Sequence, residues 1–318
     1  MPVRPRRELG KSGLKVAPFA LGGNVFGWTV DEPTGFRILD AFVDAGFNLI
    51  DTADVYSIWI DGHHGGESET ILGNWLRKSG RREEVLLATK VGMDMGPGGK
   101  GLSPEHIARS VTGSLRRLRT DRIDLYQAHE DDPTTSLEDT LRAFGQLVEQ
   151  GTVRAIGASN YGAERLEEAL WASERSGLAR YESLQPRYNL IDRQDFEGPL
   201  EEVCRKHGLG VITYSSLASG FLTGKYRSKD DLTKSPRGAR AGRHLTDRGH
   251  RILAAVDATA VRLDASAGAV ALAWLMDRPG ITAPIASVSS TGQLRELLRA
   301  SELTLDAAAR STLDGASA

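Results

Sequence analysis

One cysteine, Cys204, stands in 318 residues. An internal disulfide framework is therefore excluded, and the chain fits a reducing compartment. Long hydrophobic runs are also missing. Residues 1–10 (MPVRPRRELG) lack the apolar stretch of a signal peptide, and nothing approaches a membrane span. Neither sign of charge dominates, with 40 Lys and Arg against 42 Asp and Glu. That balance argues against nucleic acid or an anionic membrane as a partner. No Pro/Ser-rich linker and no low-complexity tract divides the chain. The expectation is a soluble, cytoplasmic, monomeric protein with one domain over residues 1–318, acting on a small molecule.

What is present is a regular alternation. Short apolar runs occur at 16–21 (VAPFAL), 48–51 (NLID), 85–90 (VLLATK), 123–127 (IDLYQ), 153–159 (VRAIGAS), 183–186 (SLQP), 210–215 (GVITYS) and 281–286 (ITAPIA). Most are continuous rather than alternating, as in parallel strands buried on both faces. Segments of helical period fill the gaps. Ser103-Pro104-Glu105 supplies an N-cap, a first-turn proline and an acid, after which Ile107, Val111, Leu115 and Leu118 share a face. Ser136 starts another, and further helices fit 34–45, 67–79, 163–176, 199–207, 249–263, 266–277 and 291–299. Eight strand-then-helix units predict an α/β fold, a closed (β/α)8 TIM barrel. RRELGKSGLKV reads as a hairpin turning at Lys11-Ser12-Gly13 and capping the barrel's bottom. Residues 303–313 read as one more helix outside it. The long connections 57–66, 91–102 and 216–248 all follow strands, so they fall on the C-terminal face, where barrel active sites lie.

GPGGKG (96–101) matches G-x-G-x-x-G, and Asp121 follows twenty residues later. A dinucleotide fold of that kind needs its first glycine directly after a strand and its last inside a helix. Here the strand ends near Lys90 and the helix begins only after Ser103. A glycine-rich loop is the better account.

The strand ends carry the chemistry. Asp51 closes the second run with Tyr56 beyond it, Lys90 closes the third, and His129 follows the fourth. In a barrel these ends share one mouth. A free phenol has a pKa of about 10, and an ammonium beside it would lower that value and make Tyr56 a better general acid. Asp51 is the natural holder of the Lys90 charge, and His129 can orient a carbonyl toward Tyr56. Neither a nucleophile paired with a base nor a metal cluster accompanies them. The set suits protonation of an oxygen while another group delivers hydride.

With these residues in view, the chain resembles the aldo-keto reductases. The matching stretches are LGGNVFG, NLIDTADVYS, ATKVG, DLYQAHEDD, GASNY, QPRYNL, TYSSLASGFLTGKY and PIASVSSTGQL, in family order from about Leu9 to Leu298. The resemblance implies a catalytic tetrad of Asp51, Tyr56, Lys90 and His129, with Asp51 also near the cofactor. It implies NAD(P)H bound extended, Ser159, Asn160 and Gln185 on its carboxamide, and Tyr214 stacked on the nicotinamide ring. Ser215, Leu217, Ser219, Gly220 and Lys225 would fold over the pyrophosphate, while Asn24 and Val25 would border nicotinamide and substrate. Ser287, Ser289, Ser290 and Gln293 would meet the adenosine end.

That end departs from the family. No Lys or Arg occurs after Ser287 until Arg295, and Leu297 replaces an adenine-contacting asparagine of many relatives. NADPH remains favoured, with NADH or dual use as the alternative. Residues 225–251 hold nine Lys or Arg against three Asp, a +6 segment in a chain of net charge −2, so either a phosphate site or a solvated loop fits. His63-His64 lacks a third ligand at a recognisable spacing and reads as an exposed loop. Cys204 reads as packing, and Trp28 and Trp59 as either pocket lining or rim. Two other functions remain open: a Schiff-base enzyme using Lys90, and a nucleotide-binding sensor subunit without useful turnover.

Overall fold

The computed structural model describes residues 5–318. A two-stranded antiparallel hairpin opens it, β1 (Arg7–Glu8) on β2 (Lys15–Val16). Eight parallel strands follow: β3 (Ala20–Gly22), β4 (Leu49–Asp51), β5 (Leu86–Val91), β6 (Ile123–Ala128), β7 (Val153–Ser159), β8 (Tyr181–Gln185), β9 (Gly210–Thr213) and β10 (Ile281–Ala286). They pair in sequence order, and β10 closes on β3. Outside them lie α1 (Glu32–Asp44), α2 (Glu67–Ser79), α3 (Pro104–Leu118), α4 (Leu137–Glu149), α5 (Ala163–Ser176), α6 (Pro199–His207), α7 (Gly238–Ala241), α8 (Asp247–Arg262), α9 (Ala267–Met276), α10 (Thr291–Leu298) and α11 (Ala307–Ser317). The expected (β/α)8 barrel is the observed one.

Two apolar layers build it. Inside the barrel small and branched residues meet: Ala20, Leu49, Ala88, Leu125, Ala155, Ile212, Ala283 and Ile285. Leu9, Leu14 and Val16 of the hairpin join that same cluster, so the hairpin does plug the bottom. Larger side chains, Trp75, Trp274, Phe42 and Phe144 among them, fill the space between barrel and helices. Helix starts follow from their caps: Ser103, Ser136, Thr246, Ser266 and Ser290 each accept a backbone N–H of the first turn. Gly73 of α2 is required by closeness, because a Cβ there would stand 2.0 Å from the Arg117 carbonyl of α3. α9 is apolar on every side because every side of it is buried. Among the described residues no single helix is long and apolar enough to cross a membrane.

Three readings need correction. The first run, 16–21, is not one strand: Val16 stays in the hairpin and the barrel strand begins at Ala20. Pro18 lacks an N–H for a ladder, and Asn48 ties the bend, accepting from the Ala17 N–H and donating to the Lys15 carbonyl at 2.9 Å each. The sixth run starts earlier, at Tyr181. The seventh ends at Thr213, leaving Tyr214 in an isolated parallel bridge to Arg187 and Ser215 in the bend beyond it. The long connection 216–248 holds a series of short helical turns, α7 among them. GPGGKG is a loop between β5 and α3, closed by Met95 N–H to the Gly99 carbonyl and Gly101 N–H to the Gly92 carbonyl.

Candidate active site

Parallel pairing sets Asp51 beside Ala88 and Lys90 beside Gln127, so the ends of β4, β5 and β6 converge at the mouth. Lys90 is wholly buried. Its ammonium donates to Asp51 Oδ2 at 2.8 Å, the Thr52 carbonyl at 2.7 Å and the Tyr56 hydroxyl oxygen at 2.9 Å. Three donors meet three acceptors, so none is left over. The second carboxylate oxygen of Asp51 accepts from Gln185 Nε2 at 2.8 Å. Tyr56 in turn donates to Asp51 Oδ2 only across 3.4 Å, a weak bond easily redirected to a better acceptor. The His129 ring lies 6.0 Å from that of Tyr56, nearly edge-on, and its Nδ1 has no hydrogen-bond partner.

The electrostatics differ from the sequence expectation at Tyr56. Burial, and after it the Asp51 carboxylate, holds the phenol well above its ordinary range. The resting tyrosine is thus a firmly protonated phenol, and Lys90 does not depress it. The Lys90 contact matters when the proton leaves, since it then faces a phenolate at hydrogen-bond distance. Burial pulls the Lys90 ammonium down and Asp51 opposes the loss. Burial and then the Lys90 charge hold His129 well below the usual imidazole range, so it is neutral. A neutral imidazole and a phenol backed by an ammonium can polarise and protonate one carbonyl oxygen.

The expected nicotinamide residues form one linked set. Ser159 Oγ donates to the Gln185 carbonyl at 3.0 Å, Asn160 Nδ2 to the His129 carbonyl at 2.9 Å, and the Tyr214 hydroxyl to Asn160 Oδ1 at 2.7 Å. Gln185 ties this set to Asp51, its Nε2 donating to Asp51 Oδ1 at 2.8 Å and, at 3.3 Å, to Gln127 Oε1. Val25 and Leu217 are packed into the outer apolar layer, so their side chains support turns rather than offer a polar contact. The Val25 carbonyl collects the N–H groups of Trp28, Thr29 and Val30. Ser290 caps α10, and Gln293 Oε1 accepts from the Ser289 N–H and hydroxyl at 2.9 and 3.1 Å.

Beyond β9 the backbone is unusual. Ser215, Ala218, Ser219 and Gly220 all have positive φ, between 48° and 91°. Left-handed non-glycine residues are uncommon, and turns of this kind present N–H groups in anion-binding concavities. Lys225 extends over the same place: a Cβ on Gly220 would stand 3.2 Å from its Nζ.

Arg237 was hidden among nine basic residues in the sequence, and the structure sorts them. Arg227 pairs with Asp257, Lys234 pairs with Asp231, Arg248 holds the Ile191 and Ser317 carbonyls, and Arg251 holds the Ala316 carbonyl. Arg237 instead crosses to the other side of the mouth. Its guanidinium lies 5.6 Å from the Trp28 ring centre, and its Nη2 donates to Asn24 Oδ1 at 3.1 Å. Ser287 Oγ donates to the same oxygen at 2.5 Å. Arg237 has no carboxylate partner among the described residues. Left-handed backbone, a lysine and an unpaired guanidinium make a donor set that fits a dinucleotide's phosphates. Only its crossing to Asn24, invisible in sequence, marks Arg237 out.

The remaining residues settle simply. Trp59 lies edge-on to both Trp28 and Tyr56, at 5.6 and 6.2 Å, an aromatic wall beside the phenol. His63 Nδ1 is 3.2 Å from the Ser57 carbonyl, and the His64 N–H donates to Glu67. Cys204 is buried, and burial pushes its thiol up to about 12, the state of a packing residue.

The aldo/keto reductase family model matches residues 18–318. The chain is 37% identical over 305 residues to the uncharacterized oxidoreductase YrpG of Bacillus subtilis, covering 94% of this chain and 91% of that one. It is 34% identical over 303 residues to a probable voltage-gated potassium channel subunit beta of Oryza sativa, covering 92% and 90%. It is 31% identical over 306 residues to the aldo-keto reductase YhdN of Bacillus subtilis, covering 93% and 86%. The chain belongs to the aldo/keto reductase family, which makes it a protein of oxidoreductase type.

Proposed function

We propose that the chain reduces aldehydes or ketones to alcohols with NADPH, NADH serving less well. The observation that carries this reading is the Lys90 ammonium 2.9 Å from the Tyr56 hydroxyl. Bound nicotinamide would supply hydride to the carbonyl carbon. His129, neutral in its buried place, donates a hydrogen bond to the carbonyl oxygen and aims it at Tyr56. Tyr56 gives up its proton to that oxygen as negative charge develops, and Lys90 stabilises the phenolate left behind. Asp51, gripped by Gln185, fixes Lys90. Ser159, Asn160 and Tyr214 orient the nicotinamide, and the 215–225 turn with Lys225, Arg237 and Ser287 holds the phosphates. Trp28 and Trp59 give the carbonyl substrate an apolar wall.

A second reading follows from relatives named as potassium channel beta subunits: a dinucleotide sensor that turns over little. The complete set of Asp51, Tyr56, Lys90 and His129 favours the reductase. The Schiff-base reading is the weakest, because Lys90 has all three protons engaged and no face open to a carbonyl carbon. The test follows the near-ultraviolet absorbance of NADPH, then NADH, over a panel of aldehydes and ketones. Oxidation supports the reductase, binding without oxidation supports the sensor, and no binding rejects both.

A further inference from the structure

One acid of the DTADVY segment has no part in this chemistry. Asp54 sits on the short span between Asp51 and Tyr56 and is 3% exposed. Its backbone N–H donates to the Lys90 carbonyl at 3.3 Å, just as the Thr52 carbonyl receives the Lys90 ammonium. The span is thus laced to Lys90 from both sides. The Asp54 Oδ1 has no hydrogen-bond partner, a costly state for a buried carboxylate that stays ionised. The carboxyl also lines a cavity of about 380 Å³ outside the barrel, shared with Met95, Gly98, His106, Arg109 and Arg116. That cavity opens to solvent, so it offers the buried Asp54 a route outward other than the mouth.

The groups around Asp54 come from every neighbouring element. Glu69 of α2 is buried and held by Thr89 of β5 at 2.6 Å and Arg117 of α3 at 2.7 Å. Tyr126 of β6 is wholly buried, and its hydroxyl also lacks a partner. Lys90 approaches from β5. We propose that Asp54 is a positioning residue that sets the electrostatic field behind Lys90 and Tyr56, exchanging its proton with solvent through the outer cavity. Ionised, it opposes a phenolate on Tyr56; neutral, it removes that opposition. Burial and the Glu69 carboxylate lift its carboxyl to about 7, against Arg117 and Lys90. The change of state therefore falls in the neutral range.

Only the rate arm of the test rests on the reductase reading. Reduction by the wild type should fall about three- to tenfold as pH rises through the neutral range. Asp54→Asn, neutral throughout, should keep the faster rate at high pH, and Asp54→Glu should keep the limb. A limb unchanged in Asp54→Asn overturns the assignment. The second arm needs no turnover: infrared difference spectra across pH on the full chain. A protonated-carboxyl C=O band titrating in the wild type and absent from Asp54→Asn is expected. Its midpoint should rise in Lys90→Met, since the ammonium holds it down. No such band, or a midpoint indifferent to Lys90, overturns the coupling. Loss of the limb in Asp54→Asn decides the matter if Lys90→Met fails to fold. A Lys90-linked band without carbonyl reduction would sink the reductase reading and leave this one standing.

Discussion

The Lys90 ammonium donates to the Tyr56 oxygen at 2.9 Å, and that direction divides the work between them. Tyr56 owns the proton to be given, and Lys90 owns the charge that makes giving it tolerable. Tyr56→Phe removes the proton donor and leaves Lys90 two of its three acceptors. Turnover should fall by about 10²- to 10⁴-fold, the usual worth of a positioned acid, while the dinucleotide still binds. Steady-state rates beside a fluorescence titration of NADPH check both halves. Wild-type turnover in this variant would end the mechanism.

Asp51 acts at one remove and should fail differently. Its two oxygens are engaged by Lys90 and Gln185 at 2.8 Å each. Asp51→Asn leaves a fully buried ammonium without its hydrogen-bonded countercharge. Removing one partner of a buried pair costs about 3–5 kcal/mol, so the denaturant midpoint should drop far more than in Tyr56→Phe. Equal midpoints in the two variants would show that Lys90 does not depend on Asp51.

These two residues were legible before any coordinates, for a physical reason. Strands buried on both faces are apolar throughout, so an acid or a lysine at a strand end stands out, and a barrel sends all such ends to one mouth. The β7 and β10 bounds, 153–159 and 281–286, could be read directly because a glycine comes just before each, Gly151 and Gly280, and a polar residue follows each, Asn160 and Ser287. The 16–21 run misled although Pro18 stood in it, because its apolar composition was given more weight than the N–H that proline lacks. The direction of the Tyr56 shift was misread as well: burial, and after it the Asp51 carboxylate, raises it, and burial is a property of the fold. Arg237 was illegible for a third reason. Nothing in RSKDDLTKSPRGARAGR tells which cation turns inward, because the choice is made by partners elsewhere in the chain, Asp257 and Asp231 for two of the others.

Arg237 carries the next prediction. Burial, and then Arg240, weighs against its charge, and a bound phosphate would relieve that. Arg237→Ala should weaken NADPH binding by about 1.5–3 kcal/mol, the range of a hydrogen bond to a charged group. Turnover at saturating dinucleotide and carbonyl should change less than affinity, since the guanidinium touches Asn24 and Trp28 but none of Tyr56, Lys90 and His129. The wild type should lose affinity with added salt more steeply than the variant. Equal affinities and equal salt slopes would remove Arg237 from the cofactor site.

Asp132 gives a stability prediction outside the chemistry. Its Oδ2 accepts from the Leu102 N–H at 2.7 Å and the Thr135 hydroxyl at 2.8 Å, and its Oδ1 from the Thr134 N–H at 2.9 Å and hydroxyl at 2.6 Å. The loop after β5 is thereby fastened to the loop after β6. Burial works to raise the carboxyl, but the hydrogen bonds from Thr134, Leu102 and Thr135 outweigh it and hold it at about 2, below the ordinary 3.8. A folded value below the unfolded one means stability that is fully present above the unfolded value. It is lost as pH falls through the interval between them and is gone below about 2. Asp132→Asn should therefore melt lower than the wild type at neutral pH, and the gap should narrow as the solution is acidified across that interval. Thermal melts of both proteins over the acid range measure it, and a gap that stays constant with pH would show that the carboxylate's charge does not fasten the two loops.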